Sequence, residues 1–224
     1  MNLIEYADRE MLVIQVANVI AGELENALLN HDRVSFAVPG GTTPGPIFDM
    51  LCATDHLDWT RVHVMLSDER WVPEDDPQSN AALIKQRLMT DHAAKATFTP
   101  FYTGDYSIEA ASAQLGETLQ EAFPLSVLML GMGADMHTAS LFPGAEGLEV
   151  AMASDAPIFY PIKMPGTQAD RITLSARMLE GAMSTHVVIF GEDKKEALTQ
   201  AQSLPAAEAP IKTVLANAQV HWAA

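Results

Sequence analysis

The chain has 224 residues, 48% of them hydrophobic and 19% charged, which is enough material for one sizeable core and predicts a single domain over residues 1–224. Thirteen Lys and Arg against 29 Asp and Glu leave a net charge of −16, and a surface this acidic repels phosphate backbones and anionic headgroups, so neither nucleic acid nor a membrane surface is an expected partner. No uninterrupted apolar run approaches the roughly 20 residues of a bilayer span. Met1–Tyr6 lacks the basic and apolar regions of a secretory signal, and the lone Cys52 excludes an intrachain disulfide or thiolate cluster. A cytoplasmic α/β enzyme or ligand-binding domain is the expectation.

In chain order, the first periodic segment is Arg9–Leu29, where Leu12, Val13, Val16, Val19, Ile20, Ala27 and Leu28 recur at helical steps behind Asp8, a good N-cap. Val34–Val38 follows as a nearly continuous β-branched and aliphatic run. Val62–Leu66, Val127–Leu130 and Val187–Phe190 have the same character, as strands buried on both faces of a parallel sheet do. Helices are predicted between them at Gly45–Leu51, Asn80–Thr90, Ile108–Ala122 and Lys194–Gln202. Pro73–Pro77 and Phe142–Gly147 read as loops. Gln202–Pro210 reads as a surface connection before a last strand or helix near Ile211–Leu215. The alternation predicts a doubly wound, mostly parallel, Rossmann-like sheet with helices on both faces, and a ligand site in the loops after the strands.

Those loops hold the reactive residue types. Pro39-Gly40-Gly41-Thr42-Thr43-Pro44-Gly45 combines two glycines with two hydroxyls ahead of a helix, which suits backbone amides approaching an anion. Pro46 stands where a nucleotide P-loop needs its Lys, and a plain strand-to-helix turn with a Thr cap fits the segment equally well. In Ser67-Asp68-Glu69-Arg70-Trp71-Val72-Pro73, Arg70 can fork onto a phosphate or carboxylate, or pair internally with Asp68 or Glu69. Ser79-Asn80 caps the next helix.

The segment Gly131-Met132-Gly133-Ala134-Asp135-Met136-His137 places Met136 where a dinucleotide fingerprint needs its third Gly. What it delivers is Asp135 and His137 at a predicted helix start, an imidazole able to take a proton from water and a carboxylate able to orient it. Two such residues are too few to ligate a metal, His63 lies in a strand without an evident partner, and Ser140 lacks a nucleophile elbow. Arg171, which follows a loop containing Lys163, and Lys194 are further scarce cations near strand ends. Arg171 and Lys194 with Arg70 suggest a small positive pocket for a phosphorylated metabolite.

Taken together, Gly40-Gly41-Thr42-Thr43-Pro44, Ser67–Pro73 with Ser79-Asn80, Gly131–Pro143, Arg171-Ile172-Thr173-Leu174 and Gly191…Lys194 resemble the 6-phosphogluconolactonase family from about Val34 to Leu198, with Pro210–Leu215 also similar. Glucosamine-6-phosphate deaminases share the glycine loop and the Asp-x-His pair, but they carry Tyr at the position of Arg70 and Asn-Glu-Pro near Leu141–Pro143. The resemblance implies hydrolysis of 6-phospho-D-glucono-1,5-lactone in the pentose phosphate pathway, without metal or cofactor, by a monomer or small homo-oligomer. It makes His137 the base and Asp135 its support. Arg70 and Arg171 become the phosphate ligands and Lys194 a weaker one. Asp68 and the Gly40, Gly41, Thr42 and Thr43 loop line the substrate site, and the amides of Gly131–Gly133 are the candidates for the oxyanion. A deaminase, or a sugar-phosphate sensor that has lost chemistry, stands as the alternative. The departure is Met136, where the family has Gly; a left-handed backbone there costs a Met about 1–2 kcal/mol and could narrow the mouth or turn His137.

Overall fold

Asp8 accepts the Met11 amide at 2.8 Å and so starts a 20-residue helix directly behind a short first strand. The computed structural model describes residues 1–166 and 168–224. Its elements in chain order are β1 (Asn2–Glu5), α1 (Arg9–Leu28), β2 (Val34–Val38), α2 (Gly45–Cys52), β3 (Val62–Leu66), β4 (Asp68–Arg70), α3 (Asn80–Arg87), β5 (Thr97–Thr99), α4 (Ile108–Thr118), β6 (Val127–Leu130), α5 (Leu148–Ala151), β7 (Phe159–Ile162), β8 (Arg171–Leu174), α6 (Ala176–Glu180), β9 (Ser184–Phe190), α7 (Glu192–Ala201), α8 (Lys212–Leu215) and β10 (Gln219–Ala223). By length and composition α1 would suit a bilayer, so the expectation that no segment approaches a span holds only for uninterrupted apolar runs. In the fold its apolar side chains form one stripe, Leu12, Val16, Ile20 and Leu24, which is fully buried.

Seven strands pair in the order β1-β10-β9-β6-β2-β3-β5, and every pairing is parallel. The order reverses between β2 and β6, which makes the sheet doubly wound; right-handed crossovers then put helices on opposite faces to either side of that point. The β2–β6 ladder spans only Phe36↔Val127 and Ala37↔Leu128, while both strands continue beyond it. A crevice therefore opens at their carboxyl ends.

A second sheet, β4-β8-β7, is antiparallel, and its strand β4 follows β3 after one residue, Ser67. Its amide donates to Val38 O at 2.8 Å and its carbonyl accepts from Leu174 N at 2.9 Å. β4 is the charged tripeptide Asp-Glu-Arg, which the apolar-run criterion passes over. β7 contains Pro161, tolerated because β7 is an edge strand.

Two predicted helices are shorter than their apolar period. One ends at Arg87, and the other ends at Thr118 before a 3-10 turn at Gln120–Ala122. The last predicted element is the helix Lys212–Leu215.

Under α1 lies a buried polar chain. Tyr6 Oη meets His221 Nδ1 at 2.8 Å, His221 Nε2 meets His186 Nδ1 at 3.0 Å, and His186 Nε2 meets Glu23 Oε2 at 2.7 Å. His186 donates through Nε2 to the Glu23 carboxylate at one end, and Tyr6 closes the other. Burial, then the neighbouring His186, hold His221 down to about 4. The unfolded chain takes up that proton near pH 6.5 and the folded chain resists it, so stability is full above 6.5 and is lost as pH falls towards 4. The loss attributable to this group is about 3 kcal/mol. Urea unfolding across that window should show the drop, and His221→Gln should flatten it. Equal slopes in the two proteins would trace the acid sensitivity to other groups.

Candidate active site

The crevice between β2 and β6 is built from three loops. The first, Pro39–Pro44, enters α2 with Pro44 as N-cap and no side-chain cap, so the Thr cap allowed by the sequence is not used. Gly41 has φ +86°, and a Cβ on Gly40 would lie 1.8 Å from Asn80 Oδ1, so a side chain at either position would strain the turn. The amides of Gly41, Thr42 and Thr43 find no acceptor among the described residues. That leaves them available to a ligand or to solvent at the mouth of the crevice.

The second wall is β4 against β8, in register Asp68↔Thr173, Glu69↔Ile172 and Arg70↔Arg171. Glu69, which the sequence offered as an ion-pair partner for Arg70, is fully buried and accepts the amides of Asn80 (2.8 Å) and Ala81 (2.7 Å), capping α3. Burial raises its carboxyl above the ordinary range against those bonds. Asp68 is also buried and accepts Ser140 Oγ at 2.5 Å and Ser67 Oγ at 3.1 Å. Arg70 donates to Gln78 O at 2.7 Å, and the internal ion pair with Asp68 or Glu69 does not form.

Arg70 and Arg171 thus face each other as like charges across an antiparallel pair, an arrangement that costs the empty protein stability. The Nε atoms of both are buried without a hydrogen-bond partner among the described residues. Burial, then the adjacent Arg70, lower Arg171 from the usual guanidinium value, where it still stays charged.

The third loop follows β6. His137 was expected at a helix start, but no helix begins there. Gly133 N donates to His137 O and Met136 N to Gly133 O, both at 3.0 Å, and left-handed residues at Met136 (φ 65°) and Ala139 (φ 47°) interrupt any helical path. Met136 therefore adopts the backbone for which its Gly-bearing counterparts are suited, and its carbonyl is anchored by the Ile211 amide at 3.1 Å.

His137 Nδ1 lies 2.5 Å from Asp135 Oδ1. Burial alone would raise the Asp135 carboxyl, but the hydrogen bond and charge of His137 outweigh it and leave it below the usual value. The carboxylate accepts Nδ1–H, so Nε2 is the ring nitrogen turned away from Asp135. A Cβ on Gly133 would come within 2.1 Å of His137 Nδ1 and 2.3 Å of Asp135 Oδ1, so this pair depends on a bare backbone beside it.

These loops enclose a cavity of about 290 Å³, lined among others by Gly40–Thr43, Asp68, Arg70, His137, Arg171 and Lys194. Every residue proposed from sequence for the site thus meets one opening except Asp135, which reaches it through His137. Lys194, in the first turn of α7, donates to Met132 O at 2.5 Å and so ties the third loop down. The Gly133 amide is already taken by His137 O, which removes it from the oxyanion candidates. Three contributors escaped the sequence reading. Asn80 hydrogen-bonds Asp68 O at 2.9 Å, Ser140 orients the Asp68 carboxylate, and Phe142 touches both His137 and Arg171. Ser79-Asn80 read as a helix cap, and Ser140 was weighed only as a nucleophile.

The protein is an α/β protein whose doubly wound sheet brings a carboxylate-supported imidazole and two guanidiniums outside any ion pair to its switch point. The family model described as glucosamine-6-phosphate isomerases/6-phosphogluconolactonase matches residues 7–222, and the chain belongs to that family. It is 37% identical over 229 residues to a 6-phosphogluconolactonase of Rhizobium meliloti (strain 1021), covering 99% of this chain and 98% of that one. A 6-phosphogluconolactonase of Pseudomonas aeruginosa is 36% identical over 211 residues, covering 92% and 88%. The crystal structure of a 6-phosphogluconolactonase from Shewanella baltica OS155 superposes with a TM-score of 0.94 at 31% identity, covering 100% of this chain and 98% of that one.

Proposed function

We propose that the protein hydrolyses 6-phospho-D-glucono-1,5-lactone to 6-phosphogluconate, the lactonase step of the pentose phosphate pathway. The observation that carries this reading is the meeting of Arg70 and Arg171, like charges without carboxylate partners among the described residues, with His137 on one cavity. A phosphate offsets the repulsion between the guanidiniums and holds the ring by a remote group, so its binding energy orients the lactone carbonyl. The close relatives bearing the name 6-phosphogluconolactonase support the substrate.

The chemistry needs one water and one base. His137 Nε2 takes a proton as the water oxygen bonds to the lactone carbonyl carbon, and Asp135 steadies the imidazolium through Nδ1–H. The tetrahedral species collapses by breaking the bond to the ring oxygen, which receives the proton back from Nε2. The new carboxyl group then loses its proton to solvent. Free amides of the glycine loop and of Gly131 and Met132 are the donors available to the oxyanion.

On this reading the whole chain works as one domain on a free metabolite, in the cytoplasm, as a monomer or small homo-oligomer, with no nucleic-acid or membrane partner and no cofactor. The decisive test is a coupled assay of 6-phosphogluconolactone opening with spontaneous hydrolysis subtracted. Acceleration over background is expected. Ammonia release from glucosamine 6-phosphate instead would make the protein a deaminase, and tight 6-phosphogluconate binding without acceleration would make it a sensor.

A further inference from the structure

Arg171 presents a problem of mechanics. A carboxylate paired with a guanidinium weakens its pull on a ligand's phosphate, yet a loose guanidinium loses entropy on every binding event. What holds it is an aromatic ring: its Cζ lies 4.9 Å from the centroid of Phe142. The same ring packs on His137, with centroids 4.1 Å apart and planes inclined by 31°. Its chain neighbour Leu141 is fully buried and donates its amide to Thr138 O at 3.0 Å, which anchors the backbone before Phe142.

We propose that Phe142 is a positioning residue that sets the imidazole and the Arg171 guanidinium in register with each other, so that a lactone anchored by its phosphate presents its carbonyl at His137. The proposal rests on the lactonase reading and adds a part to it. An aromatic face attracts a cation without neutralising it, by a factor of about two to thirty in affinity, and therefore orients Arg171 while leaving its N–H groups to the ligand. It also supports the imidazolium that His137 becomes during the reaction.

The test compares Phe142→Leu, which keeps apolar bulk and removes the ring, with Phe142→Tyr, which keeps the ring. Phe142→Leu should raise KM for the lactone about three- to tenfold through Arg171 and lower kcat about tenfold through His137, while Phe142→Tyr returns both to within about twofold of the parent. Phe142→Met, flexible and ringless, carries the same expectation as Phe142→Leu should that variant not fold. Unchanged kinetics in the ringless variants, or equal damage in Phe142→Tyr, would overturn the proposal and leave the lactonase reading intact. If the parent protein opens no lactone, that reading fails by itself, and Phe142 is then judged by calorimetric titration with inorganic phosphate. A three- to tenfold loss of affinity in Phe142→Leu, regained in Phe142→Tyr, sustains it; equal affinity in all three proteins removes it.

Discussion

Replacing His137 with alanine should reduce lactone opening by about 10²–10⁴-fold, the usual worth of a general base, while 6-phosphogluconate still binds. The expectation follows from the order of hydrogen bonds at the loop. Asp135 fixes the proton on Nδ1 at 2.5 Å, so Nε2 is the atom left to accept a proton from water. The binding energy resides elsewhere, on the arginine wall and the glycine loop, so product affinity measured by calorimetry should stay within a few-fold of the parent. Normal turnover in this variant would remove the imidazole from the reaction. Loss of binding together with turnover would mean that His137 holds the ligand and does not activate water.

The second large effect belongs to Arg171. Its replacement by alanine should raise KM for the lactone about 10- to 100-fold with kcat much less affected, because a charge-assisted contact worth roughly 1.5–3 kcal/mol is lost in ground and transition states alike. Arg70→Ala should act in the same direction. A further signature separates a binding role from a structural one. Arg171 is half-buried beside Arg70 with its Nε unpaired among the described residues, so the ligand-free Arg171→Ala protein should melt no lower than the parent. A lowered melting temperature with unchanged KM would make Arg171 a scaffold residue.

Much of this architecture could be read from the chain. The four continuous apolar runs are strands because a parallel sheet buries both faces, and Val34–Val38, Val62–Leu66 and Val127–Leu130 are strands at those bounds. The loops after them were recognisable because glycines, an imidazole and scarce cations stand out at strand exits. Strands that owe their existence to partners were invisible. Asp68–Arg70 becomes a strand because β8 lies beside it and because Glu69 finds the amides of α3, neither of which its three charged letters announce.

His137 was placed at a helix start for a related reason. Loop spacing alone did not reveal that Met136 and Ala139 would take left-handed conformations. Ser140 was weighed only as a nucleophile, and Phe142 was given no role, because their partners, Asp68 and Arg171, stand far away along the chain.

The single-residue junction at Ser67 has a consequence for how a ligand is received. Ser67 donates to Val38 O and accepts from Leu174 N, so at this joint the strip bearing both arginines has no slack chain by which to swing relative to the main sheet. Capture of an anion then resembles a key entering a cut lock more than a jaw closing. The ordering entropy was spent when the polypeptide folded, and little of it is charged again at each turnover.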